Sequence, residues 1–203
     1  SWEHVTFPDS LINCGYFSTC SLAGKIYILG GKLRKASRTV RSRLQRDLSG
    51  TNFVLFDPST KSFRKLEDTK HSREGAASCV FNGRIVTSGD RVSTTSVEAY
   101  DHCAGEWSRD MPDMMKGKSG HVSVSIGNKM YVINGAESCE VFDLFSGKFA
   151  LLQAPWVGKN FFIYQCVVIG SKIIAVLNNF DYVVFDSEAV SYTHLRAHET
   201  AYY

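Results

Sequence analysis

The chain has 203 residues, 44% of them hydrophobic and 21% charged, with a net charge of +3. That suits a folded soluble protein of one or two domains with enough apolar material for a core. The charge is uneven: Lys32, Arg34, Lys35, Arg38, Arg41, Arg43 and Arg46 stand against Asp47 alone, which leaves the remainder of the chain at −3 and argues against a generally basic, nucleic-acid-coating protein.

The six cysteines, Cys14, Cys20, Cys79, Cys103, Cys139 and Cys166, show no C-x-x-C spacing, so a zinc or thioredoxin-type site has no support. Several fall within apolar strand patterns, where a reduced cysteine acts as a small hydrophobe. With no signal peptide at the start, a reducing, cytoplasmic compartment is expected.

In chain order, Trp2 before VTFPDS opens the first strand-like stretch, and KIYILGG follows as an apolar strand ending at Gly30-Gly31. Three further segments repeat that second pattern. TCSLAGKIYILGG, SCVFNGRIVTSGD, VSVSIGNKMYVINGA and CVVIGSKIIAVLNN each read as an apolar strand, a tight turn, a basic residue and a second apolar strand. The basic residues Lys25, Arg84, Lys129 and Lys172 are spaced by 59, 45 and 43. A second motif follows each one: FVLFDPSTKSF, VEAYDHCAGEW, CEVFDLFSGKF and DYVVFDSEA, with Asp57, Asp101, Asp143 and Asp186 spaced by 44, 42 and 43. Six residues after the first three aspartates come Phe63, Trp107 and Phe149. The aspartate opens a turn by bonding its own backbone, and the large aromatic starts the next strand. The apolar stretch FFIYQCVVIGSKIIAVLNNF, residues 161–180, is long enough to span a membrane, but Lys172 beside Gly170 and Ser171 marks a turn between two strands instead.

Short strands, hairpin turns and this period predict an all-β chain of repeated four-stranded antiparallel units, stacked radially as the blades of a β-propeller. The glycine pair after KIYIL, Tyr100-Asp101 six residues before Trp107, and the period resemble Kelch repeats over residues 1–189, with the pair reduced to Gly89-Asp90 and Asn134-Gly135 in later copies. The resemblance implies a partial Kelch propeller, about four blades of six, and hence a fragment of a longer protein, because six blades need on the order of 260 residues.

After Ala189 the composition changes. VSYTHLRAHET, residues 190–200, is similar to a translated transposase sequencing adapter, so residues 190–203 are expected to be a non-native tail, although Tyr192 falls where the repeat calls for an aromatic. His194, His198 and Glu199 therefore carry no metal-site argument, despite their H-x-x-x-H-E spacing.

Two sets of residues are candidates for partner binding. The first is the basic run, an insertion at 32–51 in one inter-strand loop, which accounts for the long first spacing. It is either a solvated loop or an electrostatic lip for an acidic peptide, with Arg34, Arg38, Arg41 and Arg43 as its cations and Ser37 in a kinase-like context. The second is Arg73 and Lys118, eleven residues before their blades' basic residues, at positions equivalent to Cys14 and Phe161. In Kelch repeats this position often carries Arg near the channel, where it can hold a carboxylate; the alternative is anchoring a neighbouring blade. His121 beside Gly120 reads as a packing and turn residue. No Ser-His-Asp or paired-carboxylate pattern can be assembled, so no catalytic residue, metal or cofactor is expected.

The resemblance implies a protein-binding module: the substrate-recognition domain of a BTB–Kelch-like adaptor for a cullin-RING ubiquitin ligase, with the cullin reached only through an N-terminal region absent here. An actin- or cytoskeleton-associated Kelch scaffold is the alternative, and a propeller enzyme the third. Neither nucleic acid nor membrane is an expected partner.

Overall fold

The computed structural model describes residues 5–6, 14–33, 50–92, 94–134, 138–153, 163–178 and 181–195. These form strands and turns without a helix. Blade 1 comprises β1 (Cys14–Leu22), β2 (Lys25–Leu33), β3 (Phe53–Asp57) and β4 (Ser62–Lys65). Blade 2 comprises β5 (Ala77–Phe81), β6 (Arg84–Ser88), β7 (Val97–Asp101) and β8 (Glu106–Ser108). Blade 3 comprises β9 (Val122–Ile126), β10 (Lys129–Ile133), β11 (Cys139–Asp143) and β12 (Lys148–Leu152). Blade 4 comprises β13 (Ile163–Ile169), β14 (Lys172–Leu177), β15 (Tyr182–Asp186) and β16 (Ser191–Leu195). Within each sheet the strands pair antiparallel in chain order. The first strands β1, β5, β9 and β13 are neighbours in that order around a central channel, so the four sheets form a four-blade β-propeller. The apolar stretch at 161–180 contains a strand hairpin, β13 and β14, turned at Gly170 and Ser171.

The core lies between blades, because a sheet apolar on both faces must bury both. Tyr27, Leu29 and Phe53 of blade 1 pack against Ile85, Tyr100 and Trp107 of blade 2. Val86, Val97 and Ala99 of blade 2 meet Met130, Val132 and Phe142 of blade 3. Tyr131, Ile133 and Cys139 of blade 3 meet Ile173, Ala175 and Phe185 of blade 4. Side chains such as Leu29, Phe53 and Ile85 are fully buried, and each contributes roughly 1.5–3 kcal/mol by leaving water. On blade 4, Val167, Ile169 and Val176 are exposed.

The repeated motifs are hairpin chemistry. Each aromatic before the aspartate pairs across the strand with the aromatic six residues after it: Phe56 with Phe63 and Phe185 with Tyr192 at 4.6 Å between ring centres, Tyr100 with Trp107 and Phe142 with Phe149 at 5.2 Å. The aspartates accept turn amides, Asp101 from Cys103 and Ala104, Asp143 from Phe145 and Ser146, Asp186 from Glu188 and Ala189. Asp57 accepts from Ser59 and also pairs with Lys25. Those bonds hold all four carboxyls below the usual range, led at Asp57 by Lys25 and elsewhere by the amides of Ala104, Ser146 and Ala189.

One expectation differs from the structure. Gly30-Gly31 does not end its strand: β2 runs through both to Leu33, so Lys32 and Leu33, placed in the insertion by sequence, are strand residues paired with Gly15 and Cys14. Gly30 serves close approach, since a Cβ on it would lie 2.1 Å from the Arg73 carbonyl oxygen. At the C-terminal end, no structural break marks the boundary after Ala189. Ser191–Leu195 pairs with β15, and Tyr192 takes the repeat's aromatic position. An alternation of Tyr192 inward with exposed Ser191 and Thr193 satisfies a strand whatever the origin of that sequence.

Candidate functional site

The propeller brings the starts of the first strands together at one mouth of the channel. The connections between blades are laced there by backbone bonds: the Gly75 amide donates to the Tyr16 carbonyl and the Gly120 amide to the Gly75 carbonyl, both at 2.9 Å. A cavity of about 440 Å³ opens at this mouth, lined by Tyr16, Lys32, Glu74, Arg91, Ser119 and Gly120. Lys32 comes from the end of β2, Glu74 from the connection between blades 1 and 2, and Arg91 from the loop after β6. That loop is pinned to the next blade: Asp90 Oδ1 accepts the amides of Val92 and Thr94, and the Asp90 amide donates to the Lys118 carbonyl at 3.1 Å. Lys32 Nζ lies 3.5 Å and Arg91 Nε 3.4 Å from the same oxygen, Glu74 Oε1. The side chains of Lys32 and Arg91 are 53% and 65% exposed, that of Glu74 only 16%.

Deeper in the channel a cavity of about 290 Å³ is lined by hydroxyls and amides, among them Ser18, Ser78, Ser123 and Gln165. Ser18 and Ser78 share a 2.6 Å hydrogen bond between blades. His121 also borders this cavity but is itself buried, with Nε2 3.0 Å from Ser88 Oγ. Burial, then the charges of Lys118 and Arg73, lower its pKa to about 3, so it is neutral near pH 7. Its Nδ1 has no hydrogen-bond partner among the described residues, so no carboxylate orients this Ser–His contact. Asp101, His102 and Cys103 group three ligand-type side chains at a hairpin tip, but the Asp101 carboxylate is engaged by turn amides.

Of the residues singled out by sequence, Arg34, Arg38, Arg41 and Arg43 lie outside the described residues. Arg73 and Lys118 are described and wholly buried. Arg73 donates through Nη2 to Glu98 Oε2 at 2.6 Å, and through Nη1 to the carbonyls of Gly89 and Ser96 at 3.0 Å. Lys118 Nζ lies 2.8 Å from Glu140 Oε1. Both glutamates also accept backbone amides of the preceding connection, Glu98 from Lys70, Glu140 from Met115 and Lys116. Both cations therefore engage their own blade's third strand and leave the mouth to Lys32 and Arg91.

Sequence reasoning missed Glu98 and Glu140, and a signal for them exists. VEAYD and CEVFD carry an acid where FVLFD and YVVFD carry valine, and the acid occurs only in the two copies whose connection carries Arg73 or Lys118. Glu74 and Arg91 had no such signal, since neither belongs to a repeated position.

No protein-family model matches the chain, and no curated protein matches it significantly. Among solved structures, that of YjhT superposes with a TM-score of 0.67, covering 93% of this chain and 67% of its own, at 15% identity. The chain has a β-propeller fold. At that identity the likeness to YjhT is one of architecture alone.

Proposed function

We propose that this propeller is a protein-binding module that takes an acidic segment of its partner at the channel mouth. The observation that carries the reading is the pair of exposed cations, Lys32 and Arg91, bracketing a cavity of about 440 Å³. In sequence the basic run continues from Lys32 with Arg34, Arg38, Arg41 and Arg43. Arg73 and Lys118 hold the scaffold beneath the mouth. The finer reading is a Kelch domain selecting substrates for a cullin-RING ubiquitin ligase, the ligase attaching through a region outside this chain. It rests on the repeat motifs resembling Kelch sequences. Binding rather than catalysis is favoured by His121, which is neutral, buried and unaccompanied by an orienting carboxylate. A cytoplasmic location agrees with the five free cysteines among the described residues, whose buried members Cys79 and Cys139 have thiol pKa values raised mainly by desolvation.

The test is a quantitative pull-down from cytosol, comparing the parent with Lys32→Ser/Arg91→Ser. Partners bearing acidic segments should be depleted from the variant; an unchanged partner set removes the mouth from the reading. Complexes lacking cullin-RING subunits, when the product of the complete transcript is used, would sink the ligase role, and filament cosedimentation would point to the cytoskeletal alternative.

A further inference from the structure

We propose that Glu74 is an internal stand-in for the partner's carboxylate: it engages Lys32 and Arg91 in the free protein and yields them when an acidic segment binds. This rests on the acidic-partner reading above and adds the residue that sets how acidic the segment must be.

The contrast between two kinds of ion pair carries it. The Arg73–Glu98 and Lys118–Glu140 pairs are 2.6 and 2.8 Å long, with both partners wholly buried. Separating either leaves a charge in the core. At the mouth both contacts are longer, 3.4 and 3.5 Å, and both converge on one oxygen of Glu74. The normal length of a charge-assisted N–H···O bond is about 2.7–2.9 Å, so these cations are held loosely. They stand on long, exposed side chains from different blades, and such pairs cost little to exchange.

Glu74 cannot follow them. Its carboxylate is largely shielded, and its backbone lies between the Arg73 amide, bonded to the Gly50 carbonyl at 2.7 Å, and the Gly75 amide, bonded to Tyr16. An arriving carboxylate thus gains two cations and meets one fixed negative charge. A single acid comes close to replacing like with like, while a segment with several acids outweighs the one fixed charge.

The experiment measures anisotropy of fluorescein-labelled hexaglutamate against the full chain at low salt, with labelled hexaglutamine as the control. Glu74→Gln, which keeps shape and removes charge, should tighten hexaglutamate binding about threefold to fivefold, the range that one exposed pair supplies. The gain should vanish in the Lys32→Ser/Arg91→Ser background. Melting temperatures of all variants report folding separately. Hexaglutamate binding that Glu74→Gln leaves unchanged overturns the stand-in role and spares the acidic-partner reading. A gain that survives loss of Lys32 and Arg91 is a general charge effect and also overturns it. No preference for hexaglutamate over hexaglutamine in any variant overturns the acidic-partner reading, and the stand-in with it.

Discussion

Arg73 and Glu98 each depend on the other being present. Arg73→Leu alone should destabilise by about 3–5 kcal/mol, because it strands a buried carboxylate. Adding Glu98→Val, the residue type that blades 1 and 4 use at this position, should recover part of the loss. The double variant should remain about 1–3 kcal/mol below the parent, since the Lys70 amide loses its acceptor. Urea denaturation of the three proteins checks this; a double variant less stable than the single one would refute the coupling. His121 gives a pH dependence. Its folded pKa of about 3 lies below the ordinary value of about 6.5, so between these values the unfolded chain binds a proton that the folded chain does not. Its contribution is complete above about pH 6.5 and is lost progressively as pH falls toward 3. The urea midpoint should therefore fall from pH 7 to pH 5, and His121→Gln should flatten that slope. The four turn aspartates, with depressed carboxyls, act in a lower window, below about pH 4.

At the scale of the element, two glycines of one hairpin have different reasons to be glycine. Gly24 turns β1 into β2 at φ +70°, and a Cβ there would meet nothing within 4 Å. Gly30 has nearly the same φ, +68°, but its added Cβ would strike the Arg73 backbone. Gly24→Ala should cost only the left-handed strain, about 1–2 kcal/mol. Gly30→Ala should cost more than about 4 kcal/mol or prevent folding, because the neighbouring blade must move. Comparison of the two by thermal melting decides it; equal effects would mean that the turn geometry, not the approach of blade 2, governs Gly30. Gly89 faces the same constraint one blade later, where an added Cβ would lie 2.4 Å from the Lys118 carbonyl oxygen.

For the molecule as a whole, the proposal that the basic run is an electrostatic lip predicts an effect through its field. Replacing Arg38, Arg41 and Arg43 by Ser should slow association with an acidic partner about threefold to tenfold at low salt and flatten its salt dependence, since exposed charges steer encounter more than they hold the complex. The melting temperature should stay unchanged. Stopped-flow association at two salt concentrations is the measurement, and equal rates for parent and variant at both would make the run a solvated insertion.

Much of this architecture was legible in one dimension. The aromatic–aspartate turns, the four hairpins and the blade period are local, because each is made by residues within one or two turns of chain, and the sequence repeats them. The turn at Gly170 and Ser171 was legible for the same reason. What could not be read was set by contacts between blades. Arg73 and Lys118 were visible as a repeated cation, but whether they faced a partner or a buried carboxylate depended on strands 22 to 25 residues away. Gly30 looked like a strand end until the backbone of blade 2 was seen beside it. The mouth belongs wholly to the tertiary structure: Lys32, Glu74 and Arg91 are far apart in sequence and share no motif. They meet because radial stacking brings the ends of strands from successive blades around one axis, and a single-chain period carries no record of which side chains then face each other.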